Sequence, residues 1–131
     1  MPSQTFCLTY ANLMEQYQFI EEFLERLYAA ASGKVYHLGL QDVDKSPLPS
    51  ILKAIHQLER QQKISIFTED ERSALSELVK RRNFWAHECF VKLTFDGAGK
   101  LKHPEDIHRM VADLREAEEW REKLFLKQLQ Y

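Results

Sequence analysis

Arg82, Asn83 and His87 are the residues whose types and spacing could carry chemistry. They lie within the run Arg81-Arg82-Asn83-Phe84-Trp85-Ala86-His87-Glu88-Cys89-Phe90. A guanidinium grips an anionic oxygen pair through parallel charge-assisted hydrogen bonds and stabilises charge that develops there. An imidazole, with an ordinary pKa of about 6.5, exchanges protons near neutral pH. An amide between them can orient either partner. The set points to proton transfer at an anionic group, with Lys80 and Arg81 adding local attraction for a phosphate-bearing ligand.

These residues interrupt an apolar stripe. On a helix advancing ~100° per residue from Leu75, the residues Leu78, Val79, Ala86, Cys89 and Leu93 fall within ~60° of one line, and Arg82 falls ~20° from it. The pattern thus assigns Arg82 to a buried face, where a charge is costly unless paired. Asn83 and His87, four apart, share the shoulder of that stripe. One reading is structural: Arg82 pairs with a glutamate of another helix and lays its stem over the core, with His87 bordering it. The other is a polar edge built for function. Arg82 and His87 point ~140° apart on a regular α-helix, so one helix aims them poorly at one atom. A two-fold dimer that lines one cleft from both copies would repair this.

Four long helices must position this edge. Between about Thr9 and Ala31 the apolar residues Tyr10, Leu13, Met14, Tyr17, Ile20, Leu24, Leu27 and Tyr28 recur in steps of three and four, and Gly33 supplies the stop. Residues 34–49 read as a connection with at most one helical turn. A second helix is expected from Pro49 or Ser50 to Gln62 on Ile51, Leu52, Ile55 and Leu58. Thr68 and Glu71 form a capping box that opens a third, running to about Leu93. The last opens at His103-Pro104-Glu105-Asp106 and carries Ile107, Met110, Val111, Leu114, Ala117, Trp120, Leu124 and Phe125. The expected fold is a single all-α domain over residues 1–131, a four- to five-helix antiparallel bundle.

The chain of 131 residues suits one domain, and its 44% hydrophobic and 29% charged content with 4 Gly and 4 Pro fits a helical, globular class. No window approaches the ~20 apolar residues of a spanning helix, and the first residues lack a basic leader. A cytoplasmic protein without membrane contact is the expectation, with Cys7 and Cys89 as free thiols. Net charge is −2, which speaks against a generic nucleic-acid binder. From Lys80 to Lys102, however, six basic residues face two acids. That window could steer an anion on an otherwise acidic body.

The string Arg82-Asn83-Phe84-Trp85-Ala86-His87 resembles the R-N-x-x-x-H signature of the HEPN superfamily, and an all-helical chain with the motif late on its penultimate long helix is similar to the architecture of that group. The resemblance covers about six residues of sequence and most of the element order. It implies a HEPN-like bundle acting as a homodimer, and a metal-independent endoribonuclease of toxin–antitoxin or antiviral defence type. Catalytic roles would go to Arg82 and His87 with Asn83 supporting, and RNA binding to Lys80 and Arg81. No cofactor or metal is implied. RNA cleaved by its own 2′-hydroxyl needs a proton acceptor and stabilisation of an anionic phosphorane, which His87 and Arg82 would supply. An antitoxin or a nucleotidyltransferase is the implied partner. Toxins paired with nucleotidyltransferases commonly carry a tyrosine two positions after the motif histidine, where this chain has Cys89, so control by modification there is in doubt. The rival reading is a non-catalytic HEPN-like regulatory or protein-binding module.

Other sites fare worse. His87-Glu88 opens like H-E-x-x-H, but Val91 stands where the second histidine is needed. His103 and His108, near Glu105 and Asp106, read as caps and solvated charges of a helix start. Cys89 falls on the apolar face and reads as a small core residue. No phosphate-binding glycine loop is present, since Gly97-Ala98-Gly99 precedes Lys100-Leu101.

Overall fold

Amphipathic spacing and local stop signals divide the described residues into six α-helices and one π-helical turn. The computed structural model describes residues 2–131. In order these are α1 (Gln4–Ala31), α2 (Tyr36–Val43), α3 (Leu48–Gln62), α4 (Glu69–Asn83), the π turn (Phe84–Glu88), α5 (Cys89–Lys92) and α6 (Pro104–Gln128). No helix is long and apolar enough to cross a membrane among the described residues.

The expected stripes form the core. Leu13, Tyr17, Ile20, Leu24 and Leu27 of α1, Ile51, Ile55 and Leu58 of α3, and Met110, Ala117, Trp120 and Leu124 of α6 are buried together. At the outer ends of α6 the pattern fails: Ile107, Val111 and Phe125 are exposed. Helix α1 starts earlier than the apolar period announces, because the Ser3 hydroxyl caps it by accepting from the Phe6 N–H at 3.1 Å.

Two corrections concern topology. Residues 34–49 contain a true helix, α2, which folds back along α1: Gly39 lies so close to Ala29 and Ser32 that an added Cβ would meet their atoms at 2.9 Å. Tyr28 and Lys34 meet Asp42 beyond it. This extra reversal changes how the later helices arrive. Gln16 meets Arg121 and Phe23 meets Phe125, so α1 and α6 run parallel rather than antiparallel. Helix α4 runs against both, with Arg82 on Glu21, Phe90 on Tyr10, Glu71 near Lys127 and Arg81 on Glu116.

The start of α4 is fixed as its sequence specifies. Thr68 Oγ1 accepts from the Glu71 N–H at 3.1 Å and Glu71 Oε1 accepts from the Thr68 N–H at 2.8 Å. Burial pushes the Glu71 carboxyl up, but hydrogen bonds from Lys123 and the Thr68 backbone, with the Lys127 and Lys123 charges, outweigh it and hold the pKa down to about 2. A depressed carboxylate stabilises the fold fully above its ordinary value of 4.5 and loses that contribution as pH falls towards 2. Wild-type melting temperature should therefore drop across that window. Glu71→Gln should melt lower at neutral pH and lose less over the same interval, as a thermal series from pH 6 to pH 2 would show.

Candidate functional site

The helix that carries the motif is not regular. It continues from α4 through the π turn Phe84–Glu88 into α5, so the wide turn coincides with the second half of the Arg82–His87 stretch. A π turn closes with i→i+5 bonds, inserting one extra residue per turn. A wider turn advances less than ~100° per residue, so it reduces the ~140° separation that a regular α-helix would set between Arg82 and His87.

The wide turn also leaves backbone groups needing partners. The Trp85 carbonyl accepts from the Tyr10 hydroxyl at 2.9 Å and from the Cys89 thiol at 3.2 Å. Cys89 is buried, and burial raises its thiol pKa. It serves the core at this position.

Arg82 reaches α1, where Nη2 lies 3.1 Å from Glu21 Oε1, and its Nη1 donates to Asn83 Oδ1 at 3.4 Å. Its Nε is buried without a hydrogen-bond partner, while the side chain keeps 27% exposure. Burial raises the Glu21 carboxyl above its usual range, against the pull of the Arg82 charge and hydrogen bond. His87 is exposed, one residue before Glu88, which pairs with Lys92 at 2.9 Å. Phe90 and Val91 follow in sequence, 53% and 86% exposed, with the Phe90 ring against Phe6 and Tyr10.

Arg81 is turned away from solvent ligands. Its Nε and Nη2 donate to the two oxygens of Glu116 at 2.8 and 2.6 Å, and Asp113 lies 3.9 Å away. The Trp85 indole N–H donates to Asp113 Oδ2 at 2.7 Å, and Arg109 spans the outside, its guanidinium 3.8 Å from the Phe84 ring centre. Burial raises the Asp113 carboxyl, opposed by the Trp85 bond and the two arginines. Tyr17 is buried beside this cluster with its hydroxyl unpaired, and its pKa is raised by burial first and then by Asp113 and Glu116.

The structure thus places Arg82, Asn83 and His87 along one stretch of the α4–π–α5 helix and separates Arg81 from them. Lys80 is exposed, with only Glu77 at 3.0 Å. The excess of four positive charges counted from Lys80 to Lys102 shrinks in space, because Glu21 and Glu116 enter from α1 and α6. Sequence reasoning missed Glu21, Asp113, Glu116 and Tyr10. Asp113 could have been found: it sits three residues after Met110 and four before Ala117 in the buried stripe of α6, the same signal that singled out Arg82. No group of three or more His, Cys, Asp or Glu side chains that could hold a metal ion occurs among the described residues. Compared with known proteins, the chain matches no family model, no curated protein and no solved structure.

Proposed function

We propose that this chain is a HEPN-like, metal-independent endoribonuclease of toxin–antitoxin or defence type. The π turn at Phe84–Glu88 is the observation that carries the reading. Single wide turns inside α-helices are rare and recur at functional sites, and this one begins two residues after the motif arginine and contains the motif histidine. In the proposed reaction His87 accepts the 2′-hydroxyl proton as that oxygen attacks the neighbouring phosphorus, and the 5′-oxygen leaves as a hydroxyl, taking a proton from water. Arg82 exchanges Glu21 for the phosphate and holds the developing charge. Asn83, already bonded to Arg82, keeps the guanidinium oriented. The exposed Phe90 and Val91 beside His87 offer an apolar face on which a second copy would complete a shared cleft. Such a homodimer, RNA as substrate, an antitoxin or nucleotidyltransferase as partner and a cytoplasmic setting belong to the same proposal.

A specific observation favours the rival. The motif arginine and the arginine before it are both engaged by carboxylates of the chain itself, Arg82 by Glu21 and Arg81 by Glu116. A non-catalytic regulatory or protein-binding module would keep them so. Incubating the purified protein with total RNA, transfer RNA included, in excess chelator separates the two. The ribonuclease reading expects cleavage from a species that sediments as a dimer. Intact RNA after treatment with protein shown to be folded and dimeric would leave the regulatory module as the better account.

A further inference from the structure

Away from the motif, α3 and α4 enclose a groove of about 420 Å³ that no described element fills. Its floor is apolar: Leu75 and Phe67 are buried beneath it, and Leu52 and Val79 form half-buried walls. On each helix the lining residues recur at helical spacing, Leu52, Lys53 and His56 on α3 and Arg72, Leu75, Val79 and Lys80 on α4. Two such ridges flanking a trough are the surface that a third helix packs into.

Cations outnumber acids around the trough. Lys53, Arg72 and Lys80 line it, and the one acid among the lining residues, Glu59, is already engaged. Glu59 Oε2 accepts from the Ile66 and Phe67 N–H groups at 2.8 and 3.1 Å, and Arg72 Nη1 lies 3.2 Å away. Among the described residues Lys53 has no ion-pair partner, and the exposed Lys80–Glu77 pair is of the kind that contributes little. A basic rim on a chain of net charge −2 selects its complement.

We propose that the α3–α4 groove is a docking site for an amphipathic helix of a partner protein, one whose apolar stripe fills the trough and whose flanks carry carboxylates. The partner's leucine- or phenylalanine-type side chains would cover Leu52, Leu75 and Val79, and its acids would meet Lys53 and Lys80, since Arg72 is held by Glu59. The proposal stands apart from the ribonuclease reading; Lys80 is the one residue the two share.

The test uses the full chain and fluorescent peptides of about 18 residues, long enough to fill five helical turns. One set has leucines at i, i+3, i+4 and i+7 flanked by glutamates; a matched set has lysines in place of the glutamates. The acidic set should bind with micromolar affinity and the basic set at least about tenfold more weakly. Val79→Glu and Lys53→Glu should each weaken acidic-peptide binding by about fivefold or more, with Lys53→Glu, on an exposed position, keeping the test valid should Val79→Glu unfold. No binding by any acidic peptide, equal binding of both sets, or undiminished binding to folded Lys53→Glu would overturn the proposal. So would loss of a dimer in Val79→Glu by sedimentation, which would give the groove to a second copy. Weakened RNA binding by Lys53→Glu without any peptide binding would give it to nucleic acid instead, and would also overturn it.

Discussion

Trp85→Ala should be the most damaging single substitution in this helix, lowering folding stability by about 3–5 kcal/mol. Trp85 is fully buried, at 0% exposure, and its ring meets Phe84 edge-on with centroids 5.1 Å apart. Truncation opens a cavity of large-aromatic size between α4 and α6. It also removes the only uncharged donor to Asp113, a buried carboxylate whose pKa burial already raises, and a buried acceptor left short of donors adds its own penalty. Against a total of about 5–15 kcal/mol for an ordinary domain, the variant should sit near the unfolding threshold. Trp85→Phe separates the two contributions, keeping most of the ring and losing the N–H, with an expected loss of about 1–3 kcal/mol. Urea titrations of the three proteins measure this. A loss under about 1 kcal/mol for Trp85→Ala would mean that the π turn is held by something other than its tryptophan.

Arg82→Ala should reduce RNA cleavage by about 10²–10³-fold, the range seen when a preorganised donor to a developing anion is removed. In the proposed reaction Arg82 has a second task besides the one seen in the structure, where it neutralises the half-buried Glu21. Some loss of stability is therefore expected as well, softened because burial lets Glu21 take up a proton more readily than an exposed glutamate. Glu21→Gln distinguishes the tasks. It leaves the guanidinium in place, removes the carboxylate that competes with a phosphate, and should raise RNA affinity a few-fold while stability changes little. If Glu21→Gln lowers cleavage as far as Arg82→Ala does, the ion pair itself is the functional unit and the phosphate role for Arg82 fails.

The helices were legible wherever a stripe met a stop signal. The capping box at Thr68 and Glu71, Pro104 at the first helical position, and the α1 and α3 stripes all appear where periodicity puts them. Residues 34–49 were harder, because α2 is only eight residues long and buries just Gly39 and Val43, too few to show a period. Missing that one reversal also misassigned the direction of α6 against α1. The π turn has no composition signal of its own. It is stabilised by distant partners, Tyr10 for the freed Trp85 carbonyl and Asp113 for the indole, which only tertiary packing brings together. The polar edge was visible as Arg82 in an apolar stripe, and its pairing with a glutamate of another helix was one of the two outcomes that position allowed. Charge counted along the chain does not show that Arg81 meets Glu116, which lies 35 residues away in sequence and on its guanidinium in space.

In the proposed reaction His87, within the π turn, moves the proton in metal-free cleavage of RNA. The most direct test compares wild-type protein with His87→Ala on the same RNA in excess chelator, reading both the rate and the chemistry of the new ends. His87 is exposed, so the substitution should leave the fold intact by circular dichroism. The account predicts wild-type products ending in 2′,3′-cyclic phosphate and a rate at least about 10²-fold lower in the variant. Equal cleavage by a folded His87→Ala protein would contradict it.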